Sequence, residues 1–281
     1  MNMRDGALIL AAAVGIGATA GLLGIDSPPA APGRVAVSPD STAPASPSAP
    51  VVARQAARAV LDGVGLESSV RTARVRTALD ALGGEVREQS DPDALRMAFQ
   101  AYFKYKESNP DQVRKPYLYY VDYGLNARTP RGYVFDMEAL KVVDGPFNVA
   151  HGRGSAPDTE GIPTKFSNRN GSNATSLGLY LAQETYGFSG KAGGRSYTSV
   201  GLRLKGLSGN YNSAARARGV VAHGAPYVTA SRAGRSEGCP AMEQERAREL
   251  LPKISKGGLV FLFSPLERTW MERDPWANDA A

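Results

Sequence analysis

The sequence predicts an α+β fold that is mainly β, with a sheet-rich C-terminal region preceded by a short helical segment. Three observations carry this. Ala, Leu, Arg and Glu recur at helical spacing between Val51 and Lys106. After Pro116 the texture changes to short runs of β-branched and aromatic residues punctuated by Gly, Pro and Asn. The Pro-, Ala- and Ser-rich stretch from Ser27 to Pro50 lacks the composition of a core. With 42% hydrophobic and 21% charged residues among 281, the chain has apolar material for one ordinary domain with appendages or two small ones, which excludes wholesale disorder.

Along the chain, residues 1–26 come first. Gly6 to Leu23 is an uncharged stretch of Ala, Val, Ile, Leu and Gly, which reads as a signal-peptide core or an uncleaved signal anchor. Its apolar run is borderline against the roughly 20 residues of a membrane span. A buried core helix is the competing reading, and the Pro-rich stretch that follows at once argues against it. The expectation is therefore export to the periplasm or cell envelope, with an inner-membrane tether if the segment is retained. Residues 27–50, largely Pro, Ala and Ser, form a solvated linker that cannot bury apolar surface.

Residues 51–114 make the helical segment of two or three helices, with Asp91 capping one and Pro92 at its first position. Residues 115–268 form the sheet-rich domain. YLYYVDYG, RGYVFDME, LKVVDGPFNVAHG, SLGLYLAQETYG, SYTSVGLRLKGL and RGVVAHGAPYVTA read as strands with Gly-rich turns between them, a helix is expected at Ala241 to Leu251, and GLVFLFSP closes the sheet as a buried strand. Residues 269–281 are left as a tail.

The net charge of +6 favours anionic surroundings, yet no basic and aromatic interleaving and no zinc-finger spacing accompanies it, so nucleic acid is not expected as a partner. The cysteine count is more telling. An exported chain with one cysteine, Cys239, has no internal disulfide, so that thiol is either a small buried hydrophobe or a reactive group.

Its neighbours favour reactivity. His223-Gly224-Ala225 lies sixteen residues before Cys239, inside Gly234-Arg235-Ser236-Glu237-Gly238-Cys239-Pro240-Ala241-Met242. A strand ending at His223 and a loop returning to Cys239 would bring imidazole and thiol within hydrogen-bond distance, as an activated thiol nucleophile requires. Pro240 at a helix start would put Cys239 at the N-cap, where the helix dipole favours thiolate. Gly238 permits a tight turn, and the amides of Gly238 and Cys239 would bind the oxyanion of a tetrahedral intermediate.

The pattern His-Gly followed by Ser-x-Gly-Cys resembles the YkuD-like L,D-transpeptidases, and GRSEGCPAM is similar to the murein L,D-transpeptidase catalytic-domain branch. HGRGS at His151 to Ser155, FSNRNGS at Phe166 to Ser172 and SLGLY at Ser176 to Tyr180 also resemble that branch, over roughly Tyr117 to Pro265. The resemblance implies a β-sandwich or barrel catalytic domain that needs no cofactor or metal and acts on peptidoglycan stem peptides. It implies that Cys239 attacks the bond before a terminal D-Ala, His223 is the base, the Gly224 carbonyl orients the imidazole, and Ser236 shapes the loop beside the substrate.

The chain departs from the larger family at two places. A histidine commonly precedes the Gly-Cys pair and an arginine commonly lies two residues after the cysteine; here those places hold Glu237 and Ala241. Arg153, Arg232 and Arg235 are candidates to anchor a stem carboxylate in place of the missing arginine. His151 either lines the cleft or ends a strand as a satisfied histidine.

Three other readings stand beside this one. Water in place of an amine would make an L,D-carboxypeptidase. Loss of turnover would leave a tethered wall-binding protein. His151, Asp158 and His223 would suit a zinc D-Ala-D-Ala peptidase, but Val220 stands where such an enzyme's general base would be.

Overall fold

The computed structural model describes residues 49–278. The expected signal segment and nearly all of the expected linker lie outside them. Among the described residues no helix is long and apolar enough to cross a membrane.

Two helices open the described chain. The first, α1 (Ala49–Leu82), is a single 34-residue helix, so with the second the helical segment has two of the two or three helices expected. Its C-terminal half buries Val75, Ala78 and Leu82, spaced at i, i+3 and i+7, and so turns one stripe inward. The second, α2 (Ala94–Ser108), is buried over most of its surface, including Leu95, Met97, Phe99 and Tyr102. Glu107 near its end pairs with Arg71 at 2.9 Å and Arg74 at 3.4 Å on α1. Asp91 does not cap α2 directly. Its carboxylate accepts the Asp93 amide at 2.8 Å and its carbonyl the Ala94 amide at 3.1 Å, forming a turn that delays the helix to Ala94.

The strands are β1 (Tyr117–Asp122), β2 (Gly132–Asp136), β3 (Lys141–Phe147), β4 (His151–Gly152), β5 (Gly178–Ala192), β6 (Arg195–Gly206), β7 (Val221–Gly224), β8 (Arg235–Ser236), β9 (Ala241–Met242) and β10 (Leu259–Phe263). Eight of them form a mixed sheet in the order β3-β2-β1-β10-β5-β6-β7-β9, and β4 pairs with β8 apart from it. Two neighbouring pairs in the large sheet, β1 with β10 and β7 with β9, are parallel. The sheet curls so that its two edges approach. Ala150, just past the β3 edge, bridges Ala241 on the β9 edge, and its amide donates to the Ala241 carbonyl at 2.8 Å.

The core sits over β1 and β10. Leu118, Tyr120, Phe261 and Phe263 are fully buried, and Phe99 of α2 meets Phe135 of β2 edge-on at 5.5 Å. The residues set apart as a tail join this core. In α4 (Arg268–Arg273) Trp270 is fully buried against Phe261 and Phe263, each at 5.8 Å between ring centroids. Trp276 donates its Nε1 proton to the Leu207 carbonyl at 2.8 Å.

The long β5 and β6 strands make a hairpin turned by Gly193-Gly194, both at positive φ, the conformation a two-residue hairpin turn demands. The helix expected from Ala241 starts later, as α3 (Gln244–Ile254), with Ala247, Leu250, Leu251 and Ile254 as its buried stripe. Ala241 and Met242 are strand residues instead, because β9 completes the sheet beside β7.

Candidate active site

Parallel pairing of β7 with β9 sets His223 opposite Ala241 and Gly224 opposite Met242. Carried two residues back, this register puts Cys239 beside Val221, whose N–H faces the sulfur. His223 lies two residues further along the same strand and therefore on the same face as Val221. Cys239 and His223 both line one open cleft of about 320 Å³, together with Phe188, Tyr197, Tyr227 and Glu237.

The imidazole is well fixed. Its Nδ1 donates to the Gly224 carbonyl at 3.1 Å, a partner that assigns the proton to Nδ1 and leaves the Nε2 lone pair available. Phe188 stacks on the ring at 4.1 Å and 18°. Burial, slightly opposed by the Gly224 carbonyl, lowers the His223 pKa to about 4. Gly224 has no room for a side chain, because a Cβ there would lie 2.8 Å from the Gln244 Cα.

The thiol differs from the sequence expectation in three ways. Cys239 is not at a helix N-terminus, since α3 starts at Gln244 with Glu243 before it, so no helix dipole bears on the sulfur. The Sγ contact of hydrogen-bond type is to the Gly219 carbonyl at 4.0 Å, and among the described residues no thiol–imidazole hydrogen bond forms. The Gly238 amide is already spent, donating to Ser236 Oγ at 3.1 Å, which leaves the Cys239 amide as the loop's donor for an oxyanion. Burial pushes the Cys239 thiol up, while the Val221 N–H and the Arg218 charge pull it down and Glu237 raises it further. Thiol and imidazole are thus both neutral at rest.

The cysteine turn is held from behind. Ser236 Oγ donates to the Cys239 carbonyl at 2.7 Å, so with the Gly238 contact one buried hydroxyl closes the turn. Gly238 adopts φ +119°, and a Cβ there would lie 2.9 Å from the Ala174 carbonyl oxygen, so only glycine fits. The β4–β8 pair aligns His151 with Arg235 and Gly152 with Ser236. The Gly152 amide donates to Thr175 Oγ1 at 3.0 Å, and the Thr175 amide to Ser155 Oγ at 2.9 Å. HGRGS and the segment before SLGLY are in this way stitched behind GRSEGC.

His151 is closed off from the cleft. It is fully buried, its Nδ1 lies 3.1 Å from Arg131 Nη2, and its Nε2 has no hydrogen-bond partner among the described residues. Burial, then the charges of Arg131 and Arg235, lowers its pKa to about 4. As placed, it does not reach a substrate in the cleft.

Of the candidate arginines, Arg235 lines the cleft, but its guanidinium donates to the Ala156 and Pro157 carbonyls at 3.2 and 3.0 Å. Arg153 pairs with Glu237 at 2.7 Å on the exposed surface of the turn. Arg232 is exposed and does not line the cleft. Among the described residues no three His, Cys, Asp or Glu side chains gather as a metal site, so His151, Asp158 and His223 do not form the zinc set considered above.

Sequence reasoning missed two residues. Phe188 covers the imidazole from the β5 side of the hairpin. Arg218 stands five residues before His223 and is half-buried behind the turn.

A model of the L,D-transpeptidase catalytic domain matches residues 86–263. The chain belongs to this family. The match takes in α2 and the strands from β1 to β10. Similar solved structures include an L,D-transpeptidase from Mycobacterium smegmatis, 16% identical over 53% of this chain and 58% of that one, TM-score 0.33. Another, from Stackebrandtia nassauensis, is 16% identical over 60% and 65%, TM-score 0.33. A C442S mutant of the Enterococcus faecium L,D-transpeptidase is 15% identical over 53% and 50%, TM-score 0.31. The chain spans between about half and two-thirds of the length of these structures. No curated protein matches the chain.

Proposed function

We propose that this chain is a cysteine-dependent peptidoglycan L,D-transpeptidase, exported to the cell envelope and tethered or released there through its N-terminal segment. The observation that carries the reading is the shared cleft of Cys239 and His223, with the imidazole Nδ1 tied to the Gly224 carbonyl. That tie leaves Nε2 as the proton acceptor a neutral thiol needs.

In the reaction, Sγ attacks the carbonyl carbon before the terminal D-Ala of a stem peptide. The thiol proton passes to His223 Nε2, an S–C bond forms, the oxyanion rests on the Cys239 amide, and the C–N bond breaks as the proton goes on to the departing D-Ala amine. An amine of a second stem then attacks the thioester, His223 takes its proton, and the thiol is regenerated. Because both groups are neutral at rest, the proton moves during attack and not before it. Hydrogen bonds between catalytic groups that are long without substrate commonly shorten once it binds. The Ser236 hydroxyl keeps the turn in shape, and Arg235 is the candidate arginine that lines the cleft, able to meet a stem carboxylate once its guanidinium leaves the Ala156 and Pro157 carbonyls.

The test is incubation of the purified full chain with tetrapeptide muropeptides followed by mass spectrometry. Crosslinked dimers, absent with Cys239→Ala, are expected. Tripeptides alone would mean an L,D-carboxypeptidase, and unchanged substrate would overturn the enzymatic reading in favour of a wall-binding protein.

A further inference from the structure

Arg218 is the half-buried arginine behind the cysteine turn. Its Nη1 donates to the Ser167 carbonyl at 2.7 Å and Ser176 Oγ at 3.2 Å; its Nη2 donates to the Ala174 carbonyl at 2.8 Å and Ser172 Oγ at 3.2 Å. All four acceptors are neutral. Among the described residues no carboxylate pairs with it, whereas Arg153 holds one and Arg246 holds two. A guanidinium taken partly out of water without a counter-ion is costly unless something nearby gains from its charge.

What lies nearby is the nucleophile. The next residue, Gly219, presents its carbonyl 4.0 Å from the Cys239 sulfur, and a Cβ on Gly238 would lie 3.6 Å from Arg218 Nη2. Five tyrosines are close enough to interact electrostatically with the thiol: Tyr123 beyond β1, Tyr180 and Tyr186 on β5, Tyr197 on β6, and Tyr227. Burial holds all five above the ordinary phenol range, so none is charged at neutral pH. His223 is neutral too, and Glu237 opposes an anion. Two other cations line the cleft: the Arg235 guanidinium is turned to the Ala156 and Pro157 carbonyls, and Lys191 is exposed near the tip of the β5–β6 hairpin, so Arg218 is the cation that bears on the sulfur.

We propose that Arg218 is a positioning residue for the Cys239 chemistry: fixed behind the turn by four neutral acceptors, its guanidinium is the permanent positive charge toward which the thiolate forms. This rests on Cys239 being the nucleophile. It also explains why the site works without a helix N-terminus behind the cysteine, since a fixed charge supplies what the dipole would have.

Because the chain has one cysteine, thiol alkylation reports on Cys239 alone. The rate of iodoacetamide alkylation, in which the S–C bond forms as iodide leaves and the thiol proton is lost, would be followed against pH in the full-length wild type, Arg218→Gln and Arg218→Lys. Arg218→Gln is expected to slow alkylation at neutral pH about tenfold and to move its midpoint to higher pH. Arg218→Lys, which keeps the charge but not the fork, should restore the rate to within about twofold of wild type while lowering thermal stability.

A folded Arg218→Gln whose profile overlays wild type overturns the proposal. If Arg218→Gln does not fold, Arg218→Lys decides alone: a rate within twofold supports the role of charge, and a tenfold loss overturns it. Alkylation does not depend on acyl transfer, so the two readings can fail separately. A wild type that makes no crosslinks yet shows the Arg218 dependence sinks only the transpeptidase reading; the converse sinks only this one.

Discussion

At the middle of the sheet, β1 and β10 are buried on both faces and pack Phe261 and Phe263 against Trp270, so area removed from water holds that region together. At the β7–β9 end, strands of two to four residues adjoin a turn held by a few polar side chains: one hydroxyl, Ser236, closes the cysteine turn, and one guanidinium, Arg218, ties down the segments behind it. The first region tolerates change in proportion to lost volume. The second depends on a few directional bonds, and losing one should alter chemistry more than stability.

The comparison breaks most sharply at His223. His223→Gln should lower acyl transfer about 10³-fold, within the usual range for losing a general base, while the unfolding midpoint stays near wild type. Retained turnover measured on muropeptides would remove the base from the scheme. At the core, Trp270→Ala should cost about 3–5 kcal/mol in denaturant unfolding, with acyl transfer per folded molecule unchanged at low temperature. A stable variant with lost activity would mean that the two regions are not independent.

Gly238→Ala should cost about 1–3 kcal/mol, since alanine at φ +119° is strained and its Cβ meets the Ala174 carbonyl; a calorimetric melt equal to wild type would show that the turn adapts. The acid dependence acts through both buried imidazoles at once. His223 and His151 have folded-state values near 4 against 6.5 unfolded, so the unfolded chain binds more protons between those limits. Their stabilising contribution is complete above about pH 6.5 and is lost as pH falls toward 4, with a slope approaching about two protons. Chemical denaturation across that window measures it, and His151→Gln should reduce the slope without touching the cleft.

The sequence made the fold legible where periodicity and hydrophobicity act together. The stripe of α1, the aromatic run of β1 and the apolar run of β10 each announce their element. The start of α3 was not legible, because Ala241 and Met242 are good helix formers and only pairing with His223, Gly224 and Ala150 makes them strand. For the same reason the inferred N-cap position of Cys239 fails.

His223 and Cys239 stand out by residue type and by the glycines beside them. Arg218 does not: its acceptors lie 42 to 51 residues away in the chain, so its position is decided by folding and leaves no local mark. His151 carried a misleading mark, a histidine in a family-like string whose side chain folds inward to Arg131.

The pairing of His223 with Ala241 has a consequence for how such enzymes are recognised and rebuilt. The interval of sixteen residues between His223 and Cys239 is set by the excursion between β7 and the cysteine turn, whereas their juxtaposition is set by a two-rung ladder of backbone bonds. Residues can therefore be added at the exposed Thr229–Arg232 bend without lengthening the path a proton travels. Slipping β9 by one rung would carry the sulfur to the opposite face with no change in composition at all. The proposed catalytic pair is in this sense an alignment between two strands, portable across loop lengths and fragile to register.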